Sequence, residues 1–189
     1  MSRSPLRLLV LAVTTALGAL LLAPSATAAA APYCGITWGS LSKSGGDPDL
    51  FTGNLTDVRV GQQTCYDRMV IDLGTHATTN LAWKVRYATV HQEGSGHVTP
   101  LRGAADIEIT LHARADDGHV VTFDPANNSE VASVSGFRTF RQVAYGGSFE
   151  AHSTFGLGVR ARLPFRAFTL SGGGPGDSAR LVIDVAHAW

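Results

Sequence analysis

From Leu81 to Tyr87 the chain alternates, with Leu81, Trp83, Val85 and Tyr87 on one parity and Lys84 and Arg86 on the other. A period of two defines a strand with one buried and one wet face, because successive side chains of extended backbone point to opposite sides. Ile107, Ile109, Leu111 and Ala113 repeat the pattern, facing away from Asp106, Glu108, Thr110 and His112. Asp117-Gly118 follows, a dipeptide suited to two-residue hairpin turns since glycine tolerates positive φ, and it predicts a hairpin whose returning strand is 119–123. Further strands are predicted at 55–60, 69–73, 137–145, 149–162, 164–170 and 179–186, punctuated by Gly146-Gly147 and the glycine-rich run 172–176. No amphipathic helical pattern of useful length competes. The sequence therefore predicts an all-β chain, an antiparallel β-sandwich of about eight strands.

The amino terminus reads differently. Arg3 and Arg7 precede an uncharged apolar run at residues 8–23, and small residues follow. Sixteen apolar residues fall short of the roughly 20 needed to span a bilayer, and Ala26-Thr27-Ala28 offers a small-x-small cleavage site. This predicts a cleaved signal peptide over residues 1–31, a secreted or extracytoplasmic product and no stable membrane anchor. Removing it takes Arg3 and Arg7 and no acid, leaving 13 basic and 15 acidic residues and a net charge of −2. Such a balance gives no electrostatic reason to expect nucleic acid as a partner.

Two cysteines, Cys34 and Cys65, remain in a chain bound for an oxidising compartment, and one disulfide is the economical expectation. A metal or redox pair is the rival, but the spacing is not C-x-x-C and no histidines cluster beside it. The bridge would tie an N-terminal arm, 32–54, to the first strands of a domain spanning 55–189. One internal similarity stands out. Arg68-Met69-Val70-Ile71-Asp72-Leu73 recurs as Arg180-Leu181-Val182-Ile183-Asp184-Val185, two matching strands predicted to be partners across the sandwich, with both Asp side chains opposite the apolar faces.

Leu55-Thr56-Asp57-Val58-Arg59-Val60, then 67–73, then the closing strand 180–185 resemble the AMIN domain, a β-sandwich of the bacterial cell envelope. Cys65-Tyr66-Asp67-Arg68, Pro100-Leu101-Arg102-Gly103, the block 136–170 and the ending Val185-Ala186-His187-Ala188-Trp189 resemble more fully the actinobacterial AMIN-like secreted proteins and lipoproteins. The resemblance implies a β-sandwich and an envelope role: AMIN domains tether amidases and secretins to the wall, with peptidoglycan the usual ligand.

Catalytic chemistry is not visible in the residue pattern. The seven histidines form no H-E-x-x-H, and no G-x-S-x-G elbow is present. The run 172–176 lacks the Lys-Ser/Thr ending of a phosphate loop, and Asp47 and Asp49 offer too few ligands for a dedicated Ca²⁺ site. The expectation is a non-enzyme with no cofactor and no metal. Arginine is the suggestive constellation. Arg160, Arg162 and Arg166 share a parity opposite Leu157, Val159, Ala161, Leu163 and Phe165, and Arg138 and Arg141 precede them in a neighbouring predicted strand. Guanidinium groups hold carboxylates in bidentate fashion, and stem peptides of peptidoglycan expose carboxylates. This stripe, with Tyr145 and Phe140 as an apolar platform for sugar, is the candidate ligand face. The competing reading pairs the arginines with Asp72, Asp184 and Glu150 and leaves them as a solvated sheet face. Two partner classes follow: peptidoglycan or another wall component, or alternatively another secreted protein, bound by an interaction module or enzyme inhibitor.

Overall fold

The computed structural model describes residues 32–50, 53–74, 77–171 and 179–189. The expected leader and the 172–176 run therefore lie outside the described residues. Among the described residues nine strands follow a short 3₁₀ turn at Tyr33–Gly35: β1 (Lys43–Gly45), β2 (Leu55–Gln62), β3 (Tyr66–Leu73), β4 (Trp83–Tyr87), β5 (Ala105–Leu111), β6 (Phe140–Phe149), β7 (His152–Val159), β8 (Phe165–Leu170) and β9 (Arg180–Ala186). They form two antiparallel sheets, one ordered β1-β4-β5-β7-β6 and the other β2-β3-β9-β8. The predicted sandwich is the observed architecture.

The alternation read from sequence assigns the inner faces. Met69, Ile71 and Leu73 of β3 and Leu181, Ile183 and Val185 of β9 are fully buried, and they meet Ile107, Ile109, Phe155, Leu157 and Val159 of the facing sheet. Burying each large apolar side chain contributes about 1.5–3 kcal/mol, so this two-layer core dominates the stability. The two repeated segments are partners in a different sense from the one expected. They are not across the sandwich; β3 and β9 pair edge to edge within one sheet, Arg68 opposite Asp184 and Asp72 opposite Arg180. An R-x-x-x-D segment run antiparallel to its copy brings opposite charges opposite one another at both ends, and at the Arg68–Asp184 end they form an ion pair.

The Cys34–Cys65 disulfide is present, with Cα atoms 6.4 Å apart. It links the 3₁₀ turn to the loop between β2 and β3. The segment 32–54 does more than hang from the bridge. Residues 43–45 pair with β4 as the edge strand β1, and Gly39 bridges Phe165, so this stretch reaches both sheets.

Three local expectations are corrected. The Asp117-Gly118 turn forms, since the Asp117 N–H donates to the Val120 carbonyl (3.1 Å) and Gly118 has φ 92°, but 119–123 makes no strand. Both edges of β5 are already occupied, by β4 and β7, so no vacant edge awaits a returning strand. Gly146-Gly147 is not a turn but lies in β6 at a bulge where the register shifts between Tyr145 and Gly147. The reversal comes four residues later. Phe149 pairs with His152, and Glu150 and Ala151 take φ of 48° and 66°, the two positive φ values of a type I′ hairpin turn made without the usual Asn or Gly. Consequently 149–162 is not one strand; β7 ends at Val159.

Gly146, Gly156 and Gly158 form a trough on the outer face of the five-stranded sheet, and the segment 88–104 lies in it. A Cβ at Gly156 would sit 2.9 Å from Leu101 Cδ1, and one at Gly158 only 2.0 Å from the Arg102 carbonyl oxygen. Glycine here admits the backbone of a covering loop. The Glu93 N–H donates to the Gly146 carbonyl (2.9 Å), and Thr154 Oγ1 donates to the Glu93 carboxylate (2.5 Å), fastening that loop to the sheet.

Candidate functional site

The arginine stripe is not one face. Arg160 and Arg162 follow the end of β7, and Arg166 lies on β8, in the other sheet. The chain crosses between layers inside the stripe, so a parity counted straight through it loses meaning. Tyr145 and Phe140 are core residues rather than an open platform: Phe140 is 1% and Tyr145 9% exposed, and Tyr145 packs edge-on to Phe123 with ring centroids 5.1 Å apart.

Arg166 belongs to the outer face of the four-stranded sheet. Its Nε donates to Asp184 Oδ2 at 2.7 Å, while Arg68 Nε donates to Oδ1 at 2.6 Å and its Nη2 to Oδ2 at 2.9 Å. Asp184 is fully buried although its strand position faces outward. The two guanidinium groups cover it. Arg166 lies within 5.1–5.6 Å of the rings of Phe168, Tyr66 and Trp38, so cation–π contact and charge pairing together saturate this cluster. The competing reading holds for Arg166. Asp72 instead takes Arg59, with Nε donating at 2.6 Å, and Glu150 serves in the hairpin turn. Arg162 lies 4.7 Å above the Tyr87 ring. The Tyr87 hydroxyl donates to the Leu163 carbonyl (2.6 Å) and accepts from the Leu163 N–H (2.9 Å), and burial pushes this phenol up to about 12.

Arg138 and Arg141 flank the start of β6, and only the backbone of Arg160 comes beside them. The Arg160 backbone N–H donates to the Thr139 carbonyl (2.9 Å), while its guanidinium turns away to the His187 carbonyl. Arg141 Nη1 donates to the carbonyls of Phe140 (2.8 Å) and Phe137 (3.2 Å). A guanidinium that the strand periodicity did not flag joins Arg141: Arg102 Nη2 donates to the Arg141 carbonyl at 3.0 Å. Arg102 lies in the covering loop, in the Pro100-Leu101-Arg102-Gly103 segment, where no alternation points to it. Its backbone N–H donates to Gln142 Oε1 (2.7 Å), and Gln142 Nε2 donates to the Ser129 carbonyl (2.8 Å). A nearly buried amide thus positions the arginine loop against β6.

Arg102 and Arg141 border a cavity of about 600 Å³ whose lining also includes Glu130, Ser133, Ser135 and Phe137. Glu130 is the one carboxylate among the lining residues, and it is paired with Arg102, whose hydrogen bond holds Glu130 below the usual carboxylate range. Arg141 is held by carbonyl oxygens, and Arg138 is exposed without an ion pair among the described residues. The region therefore carries excess positive charge, with planar N–H donors at a concave surface.

Below the cluster lies a buried polar knot. Asp67 is fully buried; its Oδ2 accepts from the Thr139 N–H (2.6 Å) and the Phe140 N–H (3.1 Å), and its Oδ1 faces His187 Nε2 at 3.0 Å. The His187 N–H donates to the Cys65 carbonyl (2.8 Å), and Arg160 donates to the His187 carbonyl. Disulfide, β3, the end of β9 and the start of β6 are thereby tied at one point, and that point fixes the arginine cluster. Among the described residues no group of three or more His, Cys, Asp or Glu could hold a metal ion.

A family model described as AMIN-like domain matches residues 53–187. No curated protein matches the chain.

Proposed function

The chain belongs to the AMIN-like domain family, an extracytoplasmic, cell-envelope-related kind of binding module, and from that membership we propose that it is a non-catalytic module binding the carboxylate groups of a wall polymer, peptidoglycan stem peptides first, in the arginine-rimmed cavity. One observation carries the reading: two guanidinium groups, of Arg102 and Arg141, line a cavity that holds a single carboxylate, and Arg138 stands exposed three residues before Arg141. Arginine matches carboxylate bidentately, and a rigid loop positioned by Gln142 lowers the ordering cost of capture. The disulfide suits the oxidising compartment in which such a polymer lies.

The test is co-sedimentation of the protein with isolated sacculi across a salt series, with sacculi whose carboxylates have been amidated as the matched control. Retention that falls with salt, with amidation and in an Arg138→Ser/Arg141→Ser double variant is the expected result. Equal retention on amidated sacculi, or by the double variant, refutes it.

A protein partner is the second reading, favoured by exposed apolar tips: Val120 and Val121 are 60% and 66% exposed and Phe149 is 54% exposed. Phe149 lies at the far end of ten-residue β6, roughly 30 Å from the arginine cluster. Loss of binding in a Val121→Ser/Phe149→Ser variant, with the arginines intact, would select that reading.

A further inference from the structure

A second concave site lies on the five-stranded sheet. Ser44 pairs with Lys84, Lys84 with Thr110, and Thr110 with Thr154, so one outward row across β1, β4, β5 and β7 carries three hydroxyls and an ammonium. Beside this row the rings of His112 and His152 are stacked, 4.7 Å between centroids and 7° from parallel, and His152 Nδ1 donates to the Glu150 carbonyl at 3.0 Å. Trp83, on the inward parity, packs beneath β1 so tightly that a Cβ at Gly45 would lie 2.9 Å from its ring atoms, and so holds in place the edge strand that carries Ser44. Ser44, Lys84, Thr110, Trp83 and the two histidines line a cavity of about 350 Å³.

The chemistry of this lining is specific. No Asp or Glu is among the lining residues, and Lys84 makes no ion pair among the described residues, so the cavity offers one uncompensated positive charge. The hydroxyls of Ser44 and Thr110 flank that charge and can donate or accept. The imidazole stack is a planar wall against which a flat-sided ring packs. The volume lies in the range of small-molecule sites. A single ammonium between hydroxyls is matched by one carboxylate beside ring hydroxyls, whereas a phosphate dianion would leave charge unmet.

We propose that the cavity between β1, β4 and β5 binds a pyranose bearing one carboxylate, with Lys84 holding the carboxylate, Ser44 and Thr110 the ring hydroxyls, and the stacked histidines the ring face. Two sources share this chemistry, the lactyl ether of a muramic acid and a uronic acid. The site uses none of the residues of the arginine cavity and does not depend on it.

Calorimetric titration of the intact protein with N-acetylmuramic acid, glucuronic acid and N-acetylglucosamine tests it. At least one acid is expected to bind about tenfold or more tightly than the neutral sugar, since a charge-assisted hydrogen bond is at stake, and the tighter acid identifies the source. Lys84→Met, at an exposed strand position, should abolish that preference, and the His152 ring proton resonances should shift on binding only in the wild type. Absence of saturable binding by both acids, equal affinity for acid and neutral sugar, or a preference that survives Lys84→Met overturns the inference. Sacculus retention through the arginine cavity should be unchanged in Lys84→Met, so failure of one site is not read as failure of the other.

Discussion

Gly158→Ala should dismantle the arginine cavity from beneath. The added Cβ would stand 2.0 Å from the Arg102 carbonyl oxygen and 3.2 Å from its carbonyl carbon, backbone atoms that cannot rotate away. The loop must lift from the sheet. Overpacking of this kind costs about 1–3 kcal/mol, and lifting Arg102 breaks its N–H bond to Gln142, a side chain 5% exposed, whose stranded oxygen costs about 1–3 kcal/mol more. The total is about 2–6 kcal/mol. Gly156→Ala is the control, because its closest neighbour is the far end of Leu101, at 2.9 Å, with Val90 Cγ1 at 3.2 Å. A flexible methyl can give way, and replacing glycine within a strand itself gains about 0.5–1 kcal/mol. Gly156→Ala should therefore lie within about 1 kcal/mol of the wild type. Urea unfolding of both variants at unchanged m-value measures the difference, and sacculus retention should fall for Gly158→Ala alone. Equal stability of the two variants, or full retention by a destabilised Gly158→Ala, would show that the covering loop does not hold the cavity in shape.

Removing the bridge with Cys34→Ser/Cys65→Ser should lower stability by about 3–4 kcal/mol, the loop-closure value for a separation of 31 residues, read as a lower urea midpoint that reductant reproduces in the wild type. His187→Ala should cost about 3–5 kcal/mol by leaving the buried Asp67 oxygen unpaired, whereas Asp67→Asn, which keeps an oxygen for the Thr139 and Phe140 N–H groups, should cost visibly less in the same assay. At high pH the sign follows from Tyr87: burial raises its pKa to about 12 against about 10 unfolded, so the folded state disfavours the phenolate. Stability from this group is complete below pH 10 and is lost as pH rises towards 12, and phenolate absorbance and unfolding should rise together across that window. Tyr87→Phe should remove that coupling.

Alternation alone assigned the inner faces of β3, β4, β5, β7 and β9, because a period of two is local and survives whatever the strand later pairs with. The compartment and the cysteine count likewise led to the Cys34–Cys65 bridge, and the repeated R-x-x-x-D segments were visible as a pair. Tertiary structure decided what those strands meet. Strand order depends on which edges are vacant, and β5 has none, so a well-formed Asp117-Gly118 turn produced no hairpin. The reversal at Glu150-Ala151 carries no glycine or asparagine and is imposed by the flanking pairing of Phe149 with His152. Most of all, the grouping of the arginines is non-local. Five looked alike along the sequence, yet the crossover between sheets after β7 sends Arg166 to Asp184, Arg162 to Tyr87 and Arg160 to the His187 carbonyl, while Arg102, some forty residues away, joins Arg141 because three glycines let its loop lie flat on the sheet.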